Sequence, residues 1–264
     1  MHSRRSFLTA VTFLFAIASL AEAQSSTARQ LYELRTYHFA SADKQNAFAD
    51  FLEKTAVPAF NRAGVQPVGV WKMAAKDNPK LNLKEDSTDL YVLLPHNSFE
   101  ELTNFESKLA ADAAYQKEGA AILNARGRDV AYARYDSMLL LAMEGAPHIA
   151  VPTKTPTRVM ELRTYQSPNA ERAKNKLDMF NKGEFQIFNK VGMPGIFYGG
   201  AIVGPDQPQL TYMIVHESFE AAAKNWAAFG AFPDWKTLSA DRSYAQNVSK
   251  VLSYFLRPTA GSQI

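Results

Sequence analysis

The hexapeptide "YELRTY" (residues 32–37) returns as "MELRTY" (residues 160–165), so Glu-Leu-Arg-Thr-Tyr occurs twice in the chain. The likeness continues beyond both copies. Further along, "DLYVLLPHNSFEEL" (89–102) matches "QLTYMIVHESFEAA" (209–222), and each half closes on an apolar run. Several separated matches in the same order indicate an internal repeat of two related units.

Each unit has the residue pattern of strand, helix, strand, strand, helix, strand. Alternating large and polar residues predict the first strand at 31–37, and apolar residues at helical spacing predict a helix at 43–63 that ends at Gly64. The second helix begins at Asn97 or Ser98, with acids in its first turn. The other strands of this unit are predicted at 65–73, 90–94 and 138–143, with further helix at 110–123. This order is that of a ferredoxin-like unit, an antiparallel sheet with helices on one face.

A single sheet of this kind leaves its other face bare. We therefore expect an α+β fold in which two tandem ferredoxin-like (βαββαβ) units place their bare faces together and form a pseudo-dimeric α/β barrel. The alternative is two separate domains, each with a different partner. The predicted boundaries are a signal peptide at 1–23, a first unit at 24–146, a linker at 147–157, a second unit at 158–258 and a tail at 259–264.

The first residues have the pattern of an export signal. Paired arginines in "SRRSFL" (3–8) precede a short apolar run that ends at "AEA" (21–23), a small-residue cleavage site. Ser-Arg-Arg-x-Phe-Leu resembles the bacterial twin-arginine signal, and an ordinary secretory signal is the alternative. Either signal predicts a periplasmic or secreted protein.

Composition excludes several classes of function. The net charge of +3 is spread along the chain without a basic run, which argues against a nucleic-acid partner. We expect no membrane span after removal of the signal. With no cysteine and 47% hydrophobic residues, stability must come from a packed core. The aromatic segment "NWAAFGAFPDW" (225–235) is expected to pack in the core, or to line a pocket mouth or a homo-oligomer contact.

The repeated strand carries the candidate functional residues. Side chains alternate along a strand, so Glu33, Arg35 and Tyr37 share one face, and Tyr32, Leu34 and Thr36 share the other. The second copy repeats both sets, with Glu161, Arg163 and Tyr165 as its polar set and Met160, Leu162 and Thr164 as its apolar set. We expect the apolar sets to face the helices and the polar sets to face the space between the two sheets.

Two interpretations of the polar sets remain open. In a structural one, each Glu pairs with an Arg and the tyrosines complete a buried network. In a functional one, the barrel interior is a pocket that binds a small-molecule ligand, with Arg35 or Arg163 holding an anionic or carbonyl group. There Tyr37 or Tyr165 would donate a hydrogen bond, and a Glu whose pKa is raised by burial would act as a base.

Two histidines occupy equivalent positions after the third strand of each unit. His96 and His216 precede "NSFE" and "ESFE", and an imidazole is a ligand for metal or haem. No second ligand type lies at ligand spacing nearby, so we expect surface or capping residues at these positions. Phosphate-binding loops and nucleophile elbows are also missing from the sequence, and we expect neither a metal nor another cofactor.

The motif "YELRTY", the helix that ends before "AGVQPVGVW" and the strand "LYVLLPH" before "NSFEEL" resemble the NIPSNAP family of the dimeric α/β-barrel superfamily. The second unit departs more, with "GIFYGGAIVGPDQPQ" where the first has a longer loop. The resemblance implies the barrel fold but no catalytic residues. Two hypotheses follow: a binding module for a small organic ligand or protein partner, or a cofactor-independent monooxygenase- or isomerase-like enzyme.

Overall fold

The computed structural model describes residues 28–264, so the predicted signal peptide lies outside the described residues. The strands are β1 (Leu31–His38), β2 (Gly69–Lys72), β3 (Asp89–His96), β4 (Arg134–Ala142), β5 (Val159–Gln166), β6 (Gly195–Val203), β7 (Gln209–His216) and β8 (Lys250–Pro258). The helices of the first unit are α1 (Ala42–Phe51, a π-helical turn Leu52–Ala56, and Val57–Arg62), α2 (Phe99–Ala111), α3 (Ala113–Glu118) and α4 (Ala120–Leu123). The helices of the second unit are α5 (Ala170–Met179, a π-helical turn Phe180–Glu184, and Phe185–Lys190), α6 (Phe219–Ala231) and α7 (Pro233–Ala240).

The strands form one closed antiparallel barrel. The first unit contributes neighbours in the order β4-β1-β3-β2, and the second contributes β8-β5-β7-β6. The units join at two seams, where β2 pairs with β8 and β6 pairs with β4. This arrangement confirms the α+β fold with two ferredoxin-like units in a pseudo-dimeric barrel. It also explains the repeat, because neither sheet alone has neighbours for its edge strands.

Local sequence signals fix the ends of the helices in both units. Ser98 and Ser218 are the N-caps of α2 and α6, and each hydroxyl accepts a hydrogen bond from a backbone N–H three residues on. Gly64 and Gly192 follow α1 and α5 with φ of 99° and 79°, the left-handed region that favours glycine. The last strand of the first unit begins at Arg134, four residues earlier than predicted.

The predicted directions of the two strand faces are wrong. Tyr32 and Leu34 lie inside the barrel, whereas Glu33, Arg35 and Tyr37 face the helices. The second unit repeats this, with Met160 and Leu162 inside and Glu161, Arg163 and Tyr165 beneath its helices. Both strand faces are buried in a closed barrel covered by helices, so burial alone does not tell them apart. The polar set lies where the helices and strand ends supply hydrogen-bond partners.

The barrel interior is filled by side chains, as an eight-stranded barrel allows. Its buried members come from both units, and among them are Tyr32, Trp71, Leu93, Leu140, Leu162, Phe197, Met213, Leu256 and Ile264. The interior pocket of the functional interpretation is therefore occupied by the core. The candidate residues lie in the outer layer, between sheet and helices.

A loop of the first unit anchors on the second. The buried side chain of Asn78 donates to the Phe255 carbonyl and accepts from the Phe255 N–H, both at 2.8 Å. Next to it, Arg257 donates to the buried carboxylate of Asp77. The loop thus continues the β2–β8 seam where β2 has ended.

Candidate functional site

In the first unit, the polar residues of the repeat form one cluster beneath α2. Arg35 donates to Glu33 through Nε at 2.7 Å and Nη2 at 2.9 Å, which makes a bidentate ion pair. Its Nη1 donates to the Tyr37 hydroxyl at 3.3 Å, and Ser137 on β4 donates to Glu33 at 2.8 Å. We call Glu33, Arg35, Tyr37, His96 and Ser137 the first-unit cluster. The arginine and glutamate pair within one strand, as the structural interpretation requires.

In the second unit, the equivalent residues surround one carboxylate. Oε1 of Glu161 accepts from Arg163 Nη1 and from the Ser253 hydroxyl, both at 2.6 Å. Oε2 accepts from His216 Nε2 at 3.0 Å and from Trp226 Nε1 at 2.6 Å. We call Glu161, Arg163, Tyr165, His216 and Ser253 the second-unit cluster. Sequence analysis missed both serines, although they stand at equivalent places in the apolar runs that close the units.

The two histidines belong to these clusters and are fully buried, so their predicted exposure is wrong. Nε2 of His96 lies 3.8 Å from Glu33, and both of its ring nitrogens lack a hydrogen-bond partner among residues 28–264. His216 is bonded on both sides, because Asn225 also donates to its Nδ1 at 3.3 Å. The strands β3 and β7 extend to these histidines, whereas the strand predicted in the first unit ended at residue 94. The longer strands place the imidazoles beneath α2 and α6.

One helix position distinguishes the two clusters. Glu106 on α2 accepts from Arg35 Nη2 at 3.1 Å, and its side chain is 69% exposed. The aligned residue on α6 is Trp226, whose indole lies against the guanidinium of Arg163 with 4.4 Å to the ring centroid. Arg163 therefore receives no carboxylate from its helix. Its Nε is buried without a partner among the described residues.

The electrostatics of the two clusters oppose the predicted base role of the glutamates. Burial opposes ionisation of Glu161, but His216, Arg163, Ser253 and Trp226 stabilise the charged form and lower its pKa to about 2. Burial likewise opposes ionisation of Glu33, and its neighbours, among them His96 and Arg35, lower its pKa to about 2. The pKa of each carboxyl is thus lowered, contrary to the expectation, and both are ionised at neutral pH.

The tyrosines of the motif remain protonated. Burial raises the pKa of Tyr37 to about 12, although Arg35 beside it acts in the opposite direction. Burial also raises the pKa of Tyr165, whose hydroxyl accepts from Arg163 Nη2 at 3.3 Å. The hydroxyls of Tyr165 and Tyr212 are hydrogen bonded at 2.8 Å. These phenols act as hydrogen-bonding groups at neutral pH and not as bases.

The second unit also has a buried ion pair that sequence analysis missed. Lys176 donates to Glu184 at 2.6 Å, and both side chains are buried beside Tyr165 and Phe180. Glu184 ends the π-helical turn of α5, a feature that often marks functional sites. The aligned residues of the first unit are phenylalanine and alanine. A comparison of the two units shows two apolar residues in one and two opposite charges in the other, and this difference could have indicated the ion pair.

Groups of three or more His, Cys, Asp or Glu side chains that could hold a metal are absent from residues 28–264. Within the same range, no helix combines the length and apolar character needed to cross a bilayer.

Comparison with known proteins gives a family match and a fold match. The sequence model of the NIPSNAP family matches residues 160–263. A candidate monooxygenase from Lactobacillus acidophilus NCFM has a TM-score of 0.58 and 12% identity, with 87% of this chain and 94% of that chain covered. A second, from Fusobacterium nucleatum subsp. nucleatum ATCC 25586, has a TM-score of 0.55 and 11% identity, covering 88% and 93%.

An uncharacterised NIPSNAP-like domain protein from Burkholderia xenovorans is 21% identical over 40% of this chain and 88% of its own, with a TM-score of 0.36. No curated protein matches the sequence. At these identities the likeness to the two candidate monooxygenases shows the fold alone.

Proposed function

We propose that this protein binds a small organic molecule through the guanidinium of Arg163, which lies within the region matched by the NIPSNAP family model. The ligand carries a carboxylate or carbonyl oxygen. The observation that supports this is the difference at one helix position: Glu106 supplies a carboxylate to Arg35, whereas Trp226 supplies none to Arg163.

The first unit contains an internal counterpart of the proposed ligand. The Glu106 carboxylate approaches Arg35 from the solvent side, at 3.1 Å from Nη2, and remains largely exposed. In the second unit Trp226 stands at this helix position, so an external carboxylate would have to reach Arg163 from the solvent side, beside the indole. Such charge-assisted hydrogen bonds to arginine are stronger than neutral ones.

The charges of the two clusters support the same choice of site. In the first, one arginine faces the carboxylates of Glu33 and Glu106, which leaves an excess negative charge. In the second, Arg163 is paired with Glu161, and the nearby carboxylate of Glu184 is paired with Lys176. An anion is therefore repelled less by the second-unit cluster, and we assign the site there.

The surroundings of Arg163 suit a small flat molecule. Its side chain is 16% exposed, against 10% for Arg35. Next to it, the half-buried indole of Trp226 offers an aromatic face. On β8, the hydroxyl of Ser253 lies within hydrogen-bonding distance of Arg163, and Val251 is exposed. A ring carrying one carboxylate matches these groups.

Binding fits the site better than proton transfer. Glu161 has a pKa of about 2, and the pKa of Tyr165 is raised by burial. His216 already has a partner on each ring nitrogen. A general base requires a pKa near the operating pH, and the carboxylate and the phenol both lie far from it.

Calorimetric titration of the protein with benzoate tests the proposal. We expect saturable binding with one site per chain. Arg163→Gln should abolish it, and the matched Arg35→Gln should leave it unchanged. Because either variant removes a buried charge, circular dichroism and urea unfolding must first show that it is folded.

Exchange of the two helix residues tests the same proposal without changing an arginine. Trp226→Glu places the first-unit carboxylate on Arg163 and should abolish benzoate binding. Glu106→Trp removes it from Arg35 and should raise the stoichiometry towards two. Undiminished binding by folded Arg163→Gln and Trp226→Glu would refute the assignment.

We also propose that the protein acts outside the cytoplasm. The paired arginines Arg4 and Arg5 before an apolar run support export by the twin-arginine route. Replacing both with lysine should retain the protein in the cytoplasm, which cell fractionation detects. Unchanged export would favour an ordinary secretory signal.

A further inference from the structure

Each seam between the units has a groove beside the first helix of one unit. The β4–β6 groove lies against α5, has a volume of about 470 Å³, and includes Leu141, Ala173, Leu177, Gly200 and Ile202 in its lining. The β2–β8 groove lies against α1, has a volume of about 370 Å³, and includes Asn46, Ala49, Lys72 and Arg257. The repeat makes these two grooves equivalent, so they can be compared residue by residue.

The cross-strand pair in each groove has a different chemistry. Lys72 pairs with Arg257 across the β2–β8 seam, and Gly200 pairs with Leu141 across the other. The ammonium of Lys72 crosses its groove and donates to Asn46 on α1. In the β4–β6 groove, glycine and leucine replace the two long cations. This exchange leaves the space open and its floor apolar.

The helix that lines the β4–β6 groove also has a larger apolar side chain than the helix of the other groove. Leu177 on α5 aligns with Ala49 on α1, and it faces Gly200 closely. A Cβ added to Gly200 would lie 3.1 Å from Leu177 Cδ1. At the rim, Ile202 is 43% exposed, which is costly for a large apolar side chain in water.

From this contrast we infer that the β4–β6 groove is a binding site for a small uncharged apolar molecule. Its volume of about 470 Å³ lies within the range of small-molecule sites. The site is separate from Arg163 and does not depend on the ligand proposed there.

The rim charges determine the class of ligand. Lys174 pairs with Asp178 at 2.6 Å, and Arg29 lies 4.0 Å from Glu144. Each cation at the rim thus has an acidic neighbour within the protein. An ion would have to compete with these pairs, whereas a neutral apolar molecule would use the floor alone.

Fluorescence titration with Nile red, a neutral apolar dye, tests this site. We expect saturable binding by the full chain with one site, a blue shift and increased emission. Gly200→Lys and Leu141→Arg each restore a cation of the opposite groove, and each should raise the dissociation constant at least tenfold. Lys72→Arg keeps a long cation in the β2–β8 groove, so it serves as the matched control and should leave binding unchanged.

Two variants keep the test decisive if one fails to fold, since circular dichroism reports folding for each. Absence of saturable binding by the unmodified protein would overturn the inference. The inference would also be overturned if both folded variants bound the dye with the affinity of the unmodified protein. Sedimentation that shows a dimer dissociated by Gly200→Lys would also overturn it, because the groove would then be covered by a second copy of the chain.

Discussion

Replacing Glu161 with glutamine should destabilise the protein by roughly 3 kcal/mol at neutral pH. Four donors surround this carboxylate and lower its pKa from 4.5 to about 2. At about 1.4 kcal/mol for each pH unit, that difference corresponds to roughly 3 kcal/mol of preferential stabilisation of the ionised form. Glutamine keeps the shape of the side chain, but its NH₂ group would meet one of the donors.

The pH dependence gives this prediction its sign. The pKa of Glu161 is lower in the folded state, so the stabilisation is complete above the ordinary value of 4.5. It is lost as the pH falls towards about 2. Urea unfolding of the two proteins should therefore differ most at pH 7, and the difference should shrink below about pH 4.5.

Glu106→Gln is the matched control, since this carboxylate also binds an arginine of the motif but is 69% exposed. It should change the free energy of unfolding by less than about 0.5 kcal/mol. A Glu161→Gln variant as stable as the control at pH 7 would refute the claim that the cluster stabilises an ionised carboxylate. A difference that persists unchanged at low pH would refute it as well.

Three further perturbations concern contacts outside the cluster. Removing either charge of the buried Lys176–Glu184 pair should lower the free energy of unfolding in urea by about 3–5 kcal/mol. The double change Lys176→Phe with Glu184→Ala should lower it by less than either single change, because no unpaired charge remains buried. Additive losses would contradict this prediction. His38 contacts Asp89 at 2.8 Å and Asp136 at 3.0 Å, and these carboxylates raise its pKa. Its stabilisation is therefore present at low pH and is lost as the pH rises through that raised pKa, so His38→Gln should lower the melting temperature only on the acidic side. An equal decrease in melting temperature below and above the pKa of His38 would contradict this reasoning. Asn78→Ala leaves the backbone N–H and C=O of Phe255 without their Asn78 partner at the seam and should cost about 2 kcal/mol in urea unfolding. A loss below about 0.5 kcal/mol would show that these two hydrogen bonds contribute little to stability.

The architecture could be predicted from the order of elements within each unit and from the duplication of the unit. The order of elements identified a ferredoxin-like unit, and the duplication implied that two bare faces meet. Alternation along the strand correctly grouped Glu33, Arg35 and Tyr37 on one face. It could not tell which face points inward, because helices cover the outside of the barrel and both faces are buried.

Contacts across elements were beyond the sequence pattern. His96 lies 63 residues from Glu33 in the chain, and their proximity depends on the register of β1 and β3. Lys176 and Glu184 are eight residues apart on a helix interrupted by a π-helical turn, which a regular helical pattern does not describe. Comparing the two repeats position by position identifies such sites, because one unit keeps apolar residues where the other has charges.

The two units differ at both proposed sites. Their cores retain the same polar strand face, histidine and serine. At the helix position above each cluster and at the cross-strand pair of each seam, however, the two units have different side chains. Glu106 and Lys72 of the first unit are charged, whereas the aligned residues of the second unit, Trp226 and Gly200, carry no charge. This pattern is consistent with one set of sites closed by the protein itself and another left for ligands.

A crystal structure of the mature protein soaked with benzoate would test the assignment of Arg163. We predict carboxylate density about 3 Å from the Arg163 guanidinium, on its solvent side beside Trp226. The cluster of Arg35 should stay as it is, with Glu106 in place. Density at neither arginine, or at Arg35 with Arg163 unchanged, would contradict the proposal.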